Sequence, residues 1–456
     1  MRLLSLITII LFTSGPAHGS GIKDTVSIAV TGIQAELPRK LDAYERAGYW
    51  NAKATIISQP DSLGQVLAVF DRGEPVLVSE LHFSPSSPRE SGYLKKEVRG
   101  KGKDILSTEI GQTRTRLMRL GYTTTPYPLI ARDGKGNYHA NFRLTRKPAL
   151  QVDALAAFNR SAAADTLTFF GHLDLSIPNL DGKGKSLRLH WKRMNPESEL
   201  FDLSYRHPWF WDTPLAIFAG FSREVVNGDY QTLETQFGLE WSLDWDRSLL
   251  ITFEDHQAVV TYEGRLTHPE WDPRRRQSLG IGYRQLGIDR VDHRGLDILT
   301  NLYQELKFEA SSISRLAFRA EFQLPLAGEF YIAQRSMGLI QSFDASTTDP
   351  SWLEPLGGTE SVRGHAEQFV RSSSVVALQH DLNISVGQQS RIFGLVDIGF
   401  YRDQNKITHL LGYGVGVQLS SGRGPIRIIL ATQPELDIQN SFLHIQYAGE
   451  VNWIDR

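Results

Sequence analysis

Beyond about residue 150, apolar and polar side chains alternate with a period of two almost to the C-terminus. From Gln231 to Trp245 the odd positions include Leu233, Phe237, Leu239, Trp241 and Leu243, and the even ones Thr232, Glu234, Gln236, Glu240 and Asp244. The split recurs at Leu316, Phe318, Phe322 and Leu324 against Arg315, Arg319, Glu321 and Gln323. It recurs again at Val376, Leu378, Leu382 and Ile384 against Gln379, Asp381, Asn383 and Ser385. Successive side chains of a strand point to opposite faces, whereas a helix repeats about every 3.6 residues, so the pattern dictates strands with one apolar and one polar face. The runs are long for a soluble sandwich and carry charge on the polar face. Both properties fit a membrane-spanning barrel, apolar towards lipid and wet inside.

The chain has 456 residues, a formal net charge of −2 and no cysteine. A near-neutral balance gives no global field for nucleic acid or an anionic surface. Without thiols there is no disulfide, thiolate metal site, cysteine nucleophile or lipidated cysteine, so any membrane anchor must lie in the fold. No stretch reaches the roughly 18 apolar residues that a transmembrane helix needs. Met1-Arg2, the apolar run from Leu3 to Phe12 and the small residues ending at Gly19 read as a secretory signal, residues 1–19. Eight of the nine tryptophans lie beyond residue 190, and Trp209, Trp211, Trp271, Trp352 and Trp453 fall near expected strand ends, as interfacial residues would.

Before residue 150 the period changes. Residues 24–75 read as a short α+β unit: a strand from Thr25 to Thr31, a helix from Leu37 to Tyr49, and a hairpin of Ala54 to Ser58 with Gln65 to Phe70. Residues 76–148 read as β-α-α-β-β. The strand Val76 to Phe83 leads to helices at Ser91 to Gly100 and Ser107 to Gly121, and strands Thr123 to Ala131 and Tyr138 to Thr145 flank an Asp133-Gly134 turn. Each of these is either a generic periplasmic α+β module or a more specific one, and in both cases it exposes sheet edges open to an added strand. Residues 150–456 supply seventeen candidate strands, and merging the two within 248–265 leaves the even number expected of a bacterial barrel, sixteen.

One long excursion, 342–371, interrupts the strands, with five candidates after it. It carries Leu356-Gly357-Gly358-Thr359-Glu360-Ser361-Val362-Arg363-Gly364-His365. This segment resembles the sixth external loop of the BamA/TamA superfamily, whose Val-Arg-Gly-aromatic tip packs inside the barrel. The 76–148 unit resembles a polypeptide-transport-associated (POTRA) domain, and 24–75 a shortened one. Ile177 to Gly184, the Tyr205-Arg206-His207-Pro208-Trp209 segment, and Gly412 to Gly416 with Gly424 to Arg427 resemble further stretches of the superfamily barrel. The resemblance implies a 16-stranded antiparallel transmembrane barrel with N-terminal periplasmic POTRA-like domains, in the bacterial outer membrane. It also implies that Val362, Arg363, Gly364 and His365 lock into the barrel. The partner of Arg363 would be Asp397, in the Asp-x-Gly step that ends at Gly399, with Asp381 as second choice. A buried cation demands such a carboxylate. Leu395 and His365 depart from the aromatic residues of the superfamily pattern.

Catalysis finds no support. Gly184-Lys185-Ser186 lacks the first glycine of a phosphate loop and precedes a strand, no Gly-x-Ser-x-Gly elbow occurs, and the histidines show no paired ligand spacing. Neither cofactor nor metal is expected. The resemblance implies a factor that inserts outer-membrane proteins, receiving clients by strand addition at the POTRA edges and at a weak seam between 151–158 and 442–449. Its partners would be unfolded outer-membrane protein clients, the lipid bilayer, and candidate periplasmic or lipoprotein subunits, with no nucleic acid. The alternatives are a two-partner-secretion-type polypeptide transporter and a passive outer-membrane pore.

Overall fold

The computed structural model describes residues 23–447 except 30–32, 59–64, 100–104, 121–122, 125–127, 147–149, 162–165, 196–197, 227, 245, 270, 272, 289–292, 307–312, 343–352, 367, 388–389, 404–405, 422–423 and 435–440. The expected signal, Trp352 and Trp453 lie outside the described residues. Contacts divide the chain into two compact units. One is built from residues up to His82 with 104–114 and 127–141, the other from 83–103, 115–126 and Phe142 onward.

In the first unit, Lys23–Ala29 and Lys53–Ile56 flank Gln65–Asp71 in a three-stranded sheet. The helix Ile33–Arg46 begins before the Leu37 expected from the sequence and has Pro38 within it. Leu37, Leu41 and Tyr44 recur on one face of that helix and pack on Ile28, Ala68 and Phe70. Tyr44 Oη donates to Asp24 Oδ2 at 2.5 Å, which ties the helix to the first strand. A four-stranded sheet follows in the order Ile105–Leu106, Leu77–Ser84, Tyr138–Arg143, Leu129–Arg132. The helices Pro88–Arg99 and Ile110–Arg119 lie between its strands in sequence. The long strand read from Thr123 to Ala131 is two pieces, Thr123–Thr124 and Leu129–Arg132.

The second unit is dominated by one antiparallel sheet of sixteen strands, each hydrogen-bonded to its neighbours in chain order from Gln151–Ser161 to Phe442–Tyr447. The two candidates within 248–265 resolve into one strand, Arg247–Val260, and a short helix, Tyr262–Thr267, capped by the Thr261 hydroxyl, which accepts from Gly264 N–H. The expected faces are realised. In Ser390–Asp403, buried Phe393, Leu395, Asp397 and Gly399 alternate with outward Ile392, Val396 and Phe400. Leu239, Trp241, Ile251, Ile281 and Val415 stand exposed on the apolar face, with Ile281 at 66 %. Leaving such side chains in water would forfeit about 1.5–3 kcal/mol each, so this face calls for an apolar solvent.

On the polar face, charges pair across strands. Glu240 takes Arg206 at 3.1 Å and Arg284 at 3.3 Å, and Glu254 meets Arg315 and, at 3.7 Å, Arg276. Glu254 and Arg315 sit on strands three apart in the order, so the sheet curls towards its polar face. Lys185 pairs with Asp181 at 2.8 Å and Ser186 opens the strand Ser186–Asn195, so Gly184-Lys185-Ser186 leads into a strand and not into a helix.

Candidate functional site

After the eleventh strand of the large sheet, Phe330–Gln341, the chain leaves the ladder and returns at Ser374–Gly387, the first of the last five strands. Within this excursion Glu354–Leu356 and Val370–Ser372 pair antiparallel as a two-stranded ribbon. The residues between them form a folded tip on the polar face of the sheet.

Arg363 is the pin, only 1 % exposed. Its backbone N–H donates to Asp397 Oδ2 at 2.8 Å, Nε to the same oxygen at 2.7 Å, and Nη2 to Asp397 Oδ1 at 2.6 Å. Nη2 also reaches Asp381 Oδ1 at 2.7 Å. The strand register explains why both carboxylates are present. Asp397 pairs with Gln379, two residues from Asp381 on the same face of the adjacent strand, so the two acids are diagonal neighbours. Two buried carboxylates in that position repel each other, and the guanidinium between them turns the repulsion into a charge-assisted network. Arg335 extends it, donating to Asp381 Oδ2 and Gln379 Oε1, each at 3.3 Å.

Packing holds the rest of the tip. Leu356 and Val362 are buried with Val375, Ala377 and Leu410. Gly364 has φ +95°, a left-handed conformation that L side chains rarely adopt, and a Cβ there would meet Thr432 O at 2.5 Å. His365 Nε2 lies 3.1 Å from Leu411 O, and its ring is tilted against Phe369 at 5.1 Å. The histidine thus keeps both a ring contact and a polar anchor. Thr359 Oγ1 lies 3.0 Å from His444 Nδ1 on the last strand, while Arg371 Nη2 donates to Glu224 Oε1 at 3.1 Å on the fifth, Leu215–Val226. The excursion therefore straps the fifth strand to the sixteenth across the polar face.

The structure brings together Val362, Arg363, Gly364, His365, Asp397, Gly399 and Asp381. Where the sequence offered Asp397 or else Asp381, the arginine engages both. Gly399 leaves the space into which Val362 packs, since a Cβ there would meet Val362 Cγ2 at 2.6 Å. Arg335 and Glu224 were not legible as members of the site. Each sits at an ordinary polar position, and only the curl of the sheet makes them neighbours of the tip. The arrangement offers positional chemistry, holding one loop in one place by a buried ion network.

No family model matches the chain, and no curated protein is similar to it. Among solved structures, CdiB from Escherichia coli matches at 15 % identity and TM-score 0.57 over 92 % of this chain and 84 % of that one. CdiB from Acinetobacter baumannii matches at 13 % identity and TM-score 0.50 over 88 % and 78 %. BamA from Haemophilus ducreyi lacking POTRA domains 1-3 aligns at 14 % identity and TM-score 0.47 over 90 % and 92 %. With its sixteen strands paired in chain order and its likeness to the two CdiB structures, the chain shares their fold.

Proposed function

We propose that the large sheet closes into an outer-membrane β-barrel, with POTRA-like domains on its periplasmic side, and that the protein inserts other outer-membrane proteins by templating their strands. The observation that carries this reading is the seam. Among the described residues the last strand, Phe442–Tyr447, has six residues against eleven in the first, Gln151–Ser161, and no ladder pairs the two. In lipid each unpaired N–H or C=O costs several kcal/mol, so a short, weakly closed seam is an edge that a client strand can complete. The exposed sheet edges of the N-terminal region would hold clients earlier by strand addition. No catalytic group or cofactor takes part.

Because the chain has no cysteine, a single engineered pair across 151–158 and 442–447 gives an unambiguous lock. Oxidised variants are expected to lose client insertion in reconstituted vesicles and to regain it on reduction. Insertion that proceeds undiminished through a disulfide-locked seam would refute the templating role.

A second reading, export of one partner polypeptide through the lumen, draws on a cavity of about 560 Å³ lined by Arg188, Arg206, Glu240 and Arg284 on the polar face and by Glu97 and Arg116. Export would survive the seam lock and fail when the lumen is narrowed, so the same variants separate the two readings.

A further inference from the structure

We propose that Glu80, His82 and His139 form a binding site for a borderline divalent metal of the zinc class. Glu80 and His82 project from the same face of Leu77–Ser84, one alternation apart, and His139 stands on the adjacent strand Tyr138–Arg143. One ligand atom from each lies within 4.8 Å of the other two.

The distances point to a shared ion. His82 Nε2 lies 3.2 Å and His139 Nδ1 3.6 Å from the same carboxylate oxygen, Glu80 Oε2. Ligand atoms at about 2.0–2.2 Å from a tetrahedral ion stand about 3.3–3.6 Å apart. The second distance is too long for a hydrogen bond, and His139 Nδ1 is buried with no hydrogen-bond partner among the described residues. Its other nitrogen, Nε2, faces Asp133 Oδ2 at 3.4 Å. A ring that donates from Nε2 to Asp133 presents its Nδ1 lone pair towards Glu80, the carboxylate–histidine–metal relay by which outer groups orient metal ligands.

Asp133 is itself fixed. Its oxygens accept from the side-chain and backbone nitrogens of Asn137 and from Lys135 N–H, which hold the carboxylate in place. Two imidazole nitrogens and one carboxylate suit zinc, copper or nickel and disfavour calcium and magnesium, which take oxygen. Glu80 and His82 are exposed, so the site is open to solvent, and three protein ligands leave a position for water or an incoming donor. Bound there, the ion would staple the two central strands of the four-stranded sheet. The histidines look scattered in sequence because the pairing of distant strands, not local spacing, assembles them.

The test uses the full chain in detergent, purified without a polyhistidine tag, stripped with chelator and titrated with Zn²⁺ by calorimetry, with Co²⁺ absorption reporting ligand geometry. One Zn²⁺ per chain and a tetrahedral Co²⁺ spectrum are expected. H82N and H139N should each abolish that binding, and D133N should weaken it by about 10–100-fold, the usual effect of removing an outer-shell carboxylate. His82 is exposed, so H82N leaves the core intact and circular dichroism will show an unchanged fold. Absence of zinc binding, or affinity unchanged in H82N and H139N, would overturn the assignment.

Discussion

Arg363→Ala is expected to release the re-entrant loop and to destabilise the folded sheet by about 3–5 kcal/mol, the cost of stripping a buried ion network of one sign of charge. The loss is that large because of what stays behind. Asp397, fully buried, loses both guanidinium bonds and keeps, among the described residues, only the backbone N–H of residue 363. Asp381, 2 % exposed, retains Arg335 at 3.3 Å. Two carboxylates on adjacent strands are then left facing each other in a dry site, each short of the bonds that made its burial tolerable.

The partners should rank accordingly. Asp397→Asn removes the acid that takes three of the four hydrogen bonds Arg363 gives to carboxylates and should approach the effect of R363A, while Asp381→Asn, which takes one, should cost less. Arg363→Lys keeps the charge but not the planar fork that meets two carboxylates at once, so it should recover only part of the loss. Heat-dependent electrophoretic mobility reports the stability of the sheet, and protease cleavage within 353–373 reports loop release. An R363A chain with wild-type mobility and a protected loop would show that the network braces nothing.

How much of this was readable beforehand follows from how local each feature is. Strand faces were legible because alternation is a property of consecutive residues: Leu239 and Trp241 on one face and Glu240 on the other follow from position alone. The Arg363 tip was legible through its motif, and a buried cation forced a carboxylate partner. The choice between Asp381 and Asp397 could not be made in sequence, since a strand register places the two acids on one diagonal and lets one guanidinium serve both. The end of Arg247–Val260 was misread because the apolar run into Tyr262 continues the alternation, and only the Thr261 cap turns it into a helix. Arg371 with Glu224, and His82 with His139, depend on sheet curvature or pairing between distant strands, and neither leaves a mark within a short window.

Glycine substitutions will show whether the seating of the loop, apart from its charge, is what the fold protects. Gly412 belongs to Lys406–Ser421, and a Cβ built there would stand 1.7 Å from Arg363 O, a backbone atom held in place by the ion network on the other side of the same residue. Neither can yield without the other, so Gly412→Ala is expected to unseat the tip, at a cost at or above the about 1–3 kcal/mol typical of overpacking. At Gly399 the obstruction is the end of a side chain, Val362 Cγ2 at 2.6 Å, with Leu356 Cδ2 at 3.1 Å. Rotamer adjustment can relieve part of that, and Gly399→Ala should cost less than G412A. Gly394 lies on the same strand as Gly399 but outward, with nothing within 4 Å of its Cβ position. There alanine replaces the most flexible residue in a strand interior, so Gly394→Ala should be neutral or stabilising by about 0.5–1 kcal/mol. The order G412A worst, G399A intermediate and G394A harmless, read by loop proteolysis and heat-dependent mobility, is expected only if residues 362–364 are pressed against these strands in the membrane. Equal tolerance of all three would mean that the tip does not rest there.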